Sequence, residues 1–552
     1  MEPRPAQADR PRFRAATLLI AGNAIGLLLV SAWFRCRSLE NIPGINGDEA
    51  WYGVKALQFL WERQYHVQTP TGNPPNPFFF GPVLLLHLVF PPSIALLRWV
   101  SALSGLAMLI VNWLMCRWVF DRRTALISTL ALAVLPINIA YSRFAWDASQ
   151  SVLATLPIVY FSLAAVRFPQ QRGRWVMAAG LAQIAALMVH PTNIFAGVII
   201  AAALAVWVPW WEVRRTLVSQ MRSHPLRSGT AVVVILLLVF AVGSMAAGSP
   251  RLSRFTKHMA KRDELPHPAT ESRYAVLYAR LFTGGTVYRD IAGSRSWWEW
   301  PSADDAEGWG IDAVLFWAVV AAALWLLWRS RKMEGRLEDR VLIAAWVLQS
   351  LAFLLVAGPR GLIPGWQRYA MCLVAPTVVL TSRGLASCGV DSVWRRRLVL
   401  VAASLTGWLV LADFHANYFR FIRQTGGCGH ETFRTAAVEP KQRALQYIVQ
   451  HRNTQTGNDA STTWLVTSQW WNYWPLRYLA MAEERIRVVE PAEIDNSPEF
   501  ELARRQGRVW CAEFSGSEEL DRARAIFKDH TVDRCNFPDY GGRPLLTLLH
   551  GK

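Results

Sequence analysis

Apolar stretches recur along this chain from its N-terminus to about residue 414, parted by short segments rich in arginine. Each is near the roughly 20 residues that a helix needs to cross bilayer hydrocarbon. Inside lipid every backbone polar group must be satisfied within the protein, so runs of this kind can only be helices packed in a bundle. The 52% hydrophobic content and 27 Trp agree with that reading, and the polar fraction rises beyond residue 414 with no further span. The net charge of +18 lies mostly in the short loops, which is a topology signal and not a nucleic-acid footprint, so no nucleic-acid partner is expected. The expected architecture is a polytopic α-helical membrane protein of about eleven transmembrane helices over residues 1–414. A soluble α/β domain of ordinary size follows over residues 415–552.

The arginines set the direction of each crossing. A basic tail (Arg4, Arg10, Arg12, Arg14) precedes Ala15–Phe34, and Arg35-Cys36-Arg37 follows in place of a small-residue cleavage site, which reads as an uncleaved first helix. With the tail inside, residues 35–77 form a first outer loop. Phe78–Phe90, 13 residues before Pro91-Pro92, is too short to span and is expected half-buried or interfacial. The remaining spans are Ser93–Val119, Thr124–Tyr141, Ser151–Val166, Val176–Val189, Ile194–Trp211, Thr230–Ala247, Ala313–Trp328, Val341–Ala357, Tyr369–Ser382 and Leu398–Phe414. Every short basic loop then falls on the inner side, whereas counting the Phe78 segment as a span would invert them all. The expectation is a multi-pass protein of the inner or plasma membrane, its C-terminal domain extracytoplasmic.

This assignment gathers chemistry on one face. Asp48 and Glu49, in Gly44-Ile45-Asn46-Gly47-Asp48-Glu49-Ala50-Trp51-Tyr52-Gly53, lie in the first outer loop. Asp147, in Ser142-Arg143-Phe144-Ala145-Trp146-Asp147-Ala148-Ser149, lies in the next outer turn; it could equally cap a helix, and Arg143 could pair with it. Arg368-Tyr369 stands where a helix meets the same surface, and an arginine's planar fork can grip a phosphate or snorkel to lipid headgroups. A long outer loop, 248–310, carries Arg251, Arg254, Lys257, Lys261, Arg262, Arg273, Arg280 and Arg289 among aromatic residues, which suits an anionic headgroup. His190-Pro191 is expected to break a helix. The clusters Trp470-Trp471-Asn472-Tyr473-Trp474 and Trp297-Trp298-Glu299-Trp300 suit interfacial anchoring or sugar stacking. There is no P-loop, no dinucleotide fingerprint and no zinc spacing, so a group donor would have to arrive through the membrane. Of the seven Cys, three (Cys428, Cys511, Cys535) fall in the C-terminal domain, where one disulfide or three free thiols are both admissible.

These residues resemble the GT-C superfamily of polyprenyl-phosphate-sugar-dependent glycosyltransferases, in particular the family of protein O-mannosyltransferases and lipid A aminoarabinose transferases. The likeness rests on Gly47-Asp48-Glu49-Ala50-Trp51-Tyr52, on Arg143-Phe144-Ala145-Trp146-Asp147 and on the ordered outer loops up to Arg368-Tyr369. The resemblance implies an integral-membrane glycosyltransferase that moves a sugar from a polyprenyl-phosphate donor to a hydroxyl of an envelope acceptor, protein or glycolipid. It makes Asp48 the catalytic carboxylate, Asp147 the second acid and Arg368 a donor-phosphate contact. Relatives often place a basic residue before the Pro-Pro that follows the first loop, whereas Asn73 precedes Pro74-Pro75 here, which shifts phosphate binding toward Arg368, Tyr369, Arg254 and Lys257.

The chemistry points the same way. Glycosyl transfer to a hydroxyl needs a carboxylate as base and cations at the departing phosphate. Asp48 is the expected base, with Glu49 the weaker candidate because adjacent residues rarely face one way. Asp48 and Asp147 could also hold Mg2+ or Mn2+, which prefer oxygen ligands. The alternative class is a secondary transporter or lipid flippase, whose membrane carboxylates carry protons or ions.

Overall fold

A computed structural model describes residues 10–69, 74–207, 274–298, 311–332, 336–362, 365–388, 393–426, 437–456, 461–483, 485–494, 497–527 and 531–551. The helices are α1 (Arg10–Cys36), α2 (Gly47–Trp61), α3 (Pro77–Val89), α4 (Ile94–Val119), α5 (Arg122–Val134), α6 (Pro136–Tyr141), α7 (Ser151–Arg167), α8 (Arg172–Val189) and α9 (Gly197–Trp207). After residues 208–273 come α10 (Tyr274–Thr283), α11 (Ile311–Lys332), α12 (Leu337–Ala357), α13 (Val374–Ser387) and α14 (Val393–Phe414). Among the described residues every span expected from the sequence overlaps one or more of these helices; residues 208–211 of the sixth span and the whole of 230–247 lie outside the described residues. Six helical stretches are long and apolar enough to cross a bilayer among the described residues, and three shorter apolar helices accompany them. The protein is a multi-pass membrane protein.

Two departures from the expected spans have local causes. Thr124–Tyr141 divides at Leu135-Pro136, because the proline lacks an amide for the preceding turn and instead opens α6. The last span does not stop at Phe414: a π-turn, His415–Arg420, carries it on to Thr425. The short α3 behaves as its length demands. About 20 Å long at 1.5 Å per residue, it buries Phe79, Phe80, Val83 and His87 against neighbours and leaves Phe78, Leu85, Leu88 and Val89 exposed.

Capping residues pin the helix starts. Ser93 Oγ accepts from Leu96 N (3.2 Å) at the start of α4, and Asp121 Oδ1 accepts from Thr124 N (2.8 Å) at the start of α5. At that second end of the bundle Arg383 pairs with Asp339 (2.8 Å) and Asp121 (3.0 Å), while Arg167 pairs with Glu338 (3.1 Å). This network ties α5, α7, α12 and α13 together, so part of the basic surplus read as a topology signal also does structural work.

The described part of the long loop is not a solvated cationic surface. Residues 274–298 fold into α10 and two further turns inside the bundle, with Tyr278 and Tyr288 about as buried as any core residue and Arg280 8% exposed. Trp346 Nε1 donates to the Tyr278 hydroxyl (2.9 Å), which is also hydrogen-bonded to Thr377.

The C-terminal domain contains α15 (Val438–Thr456), β1 (Thr463–Val466), α16 (Trp470–Ala480), β2 (Ile486–Val489), α17 (Pro498–Arg505), β3 (Val509–Phe514), α18 (Glu518–Arg524), β4 (Val532–Pro538) and β5 (Pro544–Gly551). Its sheet has the order β2-β1-β3-β5-β4, parallel across β2, β1 and β3 and antiparallel across β5 and β4. The chain leaves β1 for β2 on one side and returns to β3 on the other, so the carboxyl ends of β1 and β3 flank a topological switch point, the usual place for function in such sheets. Cys511 on β3 and Cys535 on β4 are free thiols separated by β5, and Cys428 lies outside the described residues.

Candidate active site

The first outer loop is held by buried arginines. Arg98 of α4, 0% exposed, spends all five of its N–H donors: on Glu49 Oε1 (2.9 Å), Glu49 Oε2 (2.8 Å), and the carbonyls of Leu39, Pro43 and Gly44 (2.9 Å each). Arg143 bonds the carbonyls of Phe34, Ser38 and Ile42, and its guanidinium lies 4.6 Å from the Phe419 ring. The sequence suggested that Arg143 could pair with Asp147; in the structure it is a loop clamp instead.

Glu49 belongs to the same framework. Its Oε2 accepts from Asn46 N (3.1 Å) while Asn46 Oδ1 accepts from Asp48 N (2.8 Å), a capping box that starts α2. Its Oε1 also takes the amide of Ala145 (2.7 Å), two residues before Asp147. Glu49 is therefore 1% exposed and fully engaged. One carboxylate binds the loop of Asp48 to the loop of Asp147, and its neighbour in sequence is left free to face the site.

Asp48, Asp147 and Arg368 meet. All three are half-buried; the charge of Arg368 acts on both carboxylates, and that of Asp147 acts on Asp48. Asp48 Oδ1 accepts from Trp470 Nε1 of α16 (3.1 Å). Burial pushes the Asp48 carboxyl above the ordinary aspartate range; Arg368 and the Trp470 bond pull it back, while Asp147 and Glu49 push it further. Asp147 opens a short 3-10 turn, Asp147–Gln150, where its Oδ1 accepts from Ala148 N (2.7 Å). The Tyr52 hydroxyl, one helical turn beyond Asp48 on α2, also hydrogen-bonds Asp147. Burial first, and then the two aspartates, push Tyr52 well above its ordinary value, so it stays a neutral donor.

Arg368 is framed by aromatic rings. Its guanidinium lies 5.2 Å from the Trp146 ring and 5.1 Å from that of Tyr369, whose hydroxyl accepts from Nη2 (3.4 Å). Tyr369 in turn packs on His190, ring centroids 5.6 Å apart, at the helix break that His190-Pro191 predicts. Beneath them lies Asp290, 1% exposed, in the turn Tyr288–Ala292. Its Oδ2 accepts from Gln367 Nε2 (2.7 Å), and burial raises its carboxyl to about 7 against the pull of Gln367 and Arg368.

Sequence reasoning thus named Asp48, Asp147, Arg368 and Tyr369, which the structure brings together, and Glu49, which it places in the scaffold. Arg254, Lys257 and Asn73 lie outside the described residues. Tyr52, Asp290, Gln367 and Arg98 were missed. Asn46-x-x-Glu49 could have flagged the capping box, but nothing local marks Asp290. Among the described residues no three His, Cys, Asp or Glu side chains gather to hold a metal ion. Asp48 stands in the first turn of α2 and Asp147 at the start of a short 3-10 turn, not at mid-helix as in a transporter.

A family model described as dolichyl-phosphate-mannose-protein mannosyltransferase matches residues 74–244. No curated protein sequence matches the chain. Among solved structures, ArnT from Cupriavidus metallidurans in the apo state is 14% identical and superposes with a TM-score of 0.55 over 98% of both chains. The same protein bound to undecaprenyl phosphate gives 0.52 at 14% identity over 97% of both chains. The oligosaccharyltransferase of Archaeoglobus fulgidus, apo form, gives 0.50 at 14% identity over 89% of this chain and 69% of that one. The helical bundle and C-terminal sheet thus share the fold of these GT-C membrane glycosyltransferases, and residues 74–244 match the mannosyltransferase family model.

Proposed function

We propose that this protein transfers a sugar from a polyprenyl-phosphate donor to a hydroxyl of an envelope acceptor on the outer face of the membrane. The observation that carries the reading is the meeting of Asp48, Asp147 and Arg368 at one half-buried centre built from three distant loops. An arginine fork beside two carboxylates matches a reaction in which a proton leaves one oxygen while a phosphate departs from carbon.

In this reading the Asp48 carboxylate takes the proton of the acceptor hydroxyl as that oxygen bonds to the anomeric carbon. The bond from that carbon to the donor phosphate breaks, and the negative charge stays on the polyprenyl phosphate, where Arg368 stabilises it. The raised pKa of Asp48 brings the base nearer to neutral pH, which strengthens it for this step. Asp147, fixed by Tyr52 and Ala148 N, orients the acceptor. Glu49 positions both loops and does not touch substrate. Tyr369 holds Arg368, and Arg254 and Lys257 remain proposed contacts of the donor phosphate. Mg2+ or Mn2+ would draw on Asp48 and Asp147, whose Oδ1 atoms already accept from Trp470 and Ala148, so Arg368 is the better-supported counter-charge. The inner or plasma membrane, with the C-terminal domain extracytoplasmic, fits the arginine distribution. The acceptor, protein or glycolipid, would reach the centre from that side.

The test is donor consumption by the purified protein with native membranes as acceptor source. Undecaprenyl-phosphate mannose, glucose and 4-aminoarabinose would be supplied, and release of undecaprenyl phosphate followed. Wild type should consume at least one donor, and Asp48→Asn should lower the rate at least a thousandfold on the order expected for loss of a base plus its charge. A folded Asp48→Asn protein at full rate, or no consumption of any donor by wild type, would sink the proposal.

A further inference from the structure

The C-terminal domain meets the bundle along α16, which lies against α2. The approach is close enough to demand glycine: a Cβ at Gly47 would sit 2.6 Å from Trp470 Cδ1, and one at Gly53 would overlap the Tyr478 ring. Polar contacts cross this seam at both ends of α16: the Tyr478 hydroxyl donates to the Ser93 carbonyl (2.9 Å) and is hydrogen-bonded to His87 Nε2 (3.1 Å), and Trp470 Nε1 donates to Asp48 Oδ1 (3.1 Å), the one of these that reaches a carboxylate. A tryptophan held only for its bulk has no need to aim its single donor at a carboxylate.

The turn that presents Trp470 is itself locked. It leaves the carboxyl end of β1 at the switch point of the sheet, and Glu513, near the end of β3, reaches across. Glu513 Oε1 accepts from both the amide (2.6 Å) and the hydroxyl (2.7 Å) of Ser468, two residues before Trp470. Glu513 is 2% exposed, so it is part of the interior and not a surface charge that drifted there. The connection from β3 through Ser468 and Trp470 to Asp48 is continuous.

We propose that Trp470 is a positioning residue for the proton-accepting carboxylate, and that Glu513 holds the turn that delivers it. The indole N–H occupies Asp48 Oδ1 and fixes the side chain's rotamer, leaving Oδ2 for the acceptor's proton. The C-terminal domain is then part of the catalytic centre and not a cover over it. The inference rests on Asp48 being the base.

The experiment uses the full chain in lipid nanodiscs. With whichever undecaprenyl-phosphate sugar wild type consumes, Trp470→Phe should lower kcat roughly ten- to a hundredfold, the loss of one charge-assisted hydrogen bond, with the donor KM little changed. Glu513→Ala should lower kcat likewise, and Glu513→Gln, which keeps the acceptor oxygen, should restore most of the loss. Hydrogen exchange without donor supplies a second readout: amides 48–52 should exchange faster in Trp470→Phe and Glu513→Ala than in Glu513→Gln. If Asp48→Asn is inactive while Trp470→Phe keeps its wild-type kcat and exchange rates, the inference is wrong and the base assignment survives. If Asp48→Asn is active, the base assignment has failed, and the exchange data alone then judge the link between Trp470 and α2.

Discussion

Asp48 and Glu49 are chain neighbours with opposite surroundings. Asp48 is half-buried beside Arg368 and Trp470, while Glu49 is 1% exposed and shared among Arg98, Asn46 and Ala145. Substituting each should separate chemistry from scaffold. Glu49→Gln leaves the Arg98 charge buried without its counter-ion, which should cost about 3–5 kcal/mol, read as a large fall in thermal stability in detergent; unchanged melting would contradict the role. Asp48→Asn should leave melting near wild type. Asp290 offers a third test at this scale. By holding Gln367 it fixes the turn that carries Arg368, so Asp290→Ala should weaken undecaprenyl phosphate binding about tenfold, the equivalent of one buried hydrogen bond. Asp290→Asn, which keeps an acceptor for Gln367, should lose much less. Calorimetric titration distinguishes the two, and equal affinities would remove Asp290 from the site.

At the scale of elements, α2 is the piece on which the centre is built. Its capping box fixes where it begins, Arg98 fixes where it sits on α4, and two glycines let α16 lie against it. Replacing Gly53 by Val would drive a branched side chain into Tyr478, and overpacking of this kind costs roughly 1–3 kcal/mol. Because the closest clash is with the Tyr478 ring on the seam and the contact with Leu97 of α4 is looser, hydrogen exchange should rise in α16 and the first turns of α2 before it rises elsewhere. Uniform exchange across the protein would argue against a seam. The sequence carried part of this element plainly: Asn46-Gly47-Asp48-Glu49 is a helix start with an acid three residues after its cap. It did not show which acid would be consumed by the cap, because that depends on Arg98, 49 residues away.

For the molecule as a whole, the C-terminal domain should make stability depend on pH. Glu513 is pushed up to about 7 by burial from an ordinary 4.5, with Ser468 opposing. Between those values the folded protein keeps a proton that the unfolded chain has lost, so stability should fall as pH rises from about 4.5 to about 7 and level off above. At about 1.4 kcal/mol per pKa unit, the decline should be no more than about 3.5 kcal/mol, and Glu513→Gln should flatten it. A melting temperature with the same pH profile in both proteins would overturn the assignment. Binding of the lipid phosphate acts on the whole molecule too: undecaprenyl phosphate at a hundred times its dissociation constant should add about 2.7 kcal/mol of stability, and Arg368→Ala should abolish the gain.

The sequence by itself determined the class of this protein and the order of its helices. Span length and basic loops are local quantities, set by hydrocarbon thickness and membrane charge, and they can be read residue by residue. The same pattern placed Asp48, Asp147 and Arg368 on one face. Only the tertiary structure decided that Glu49 and Arg143 are clamps, that Asp290 lies beneath Arg368, and that Trp470 of the C-terminal domain reaches Asp48 across 422 residues. Those assignments depend on which donor finds which acceptor once water is excluded, and a buried polar group takes its partner from whatever the fold brings near it.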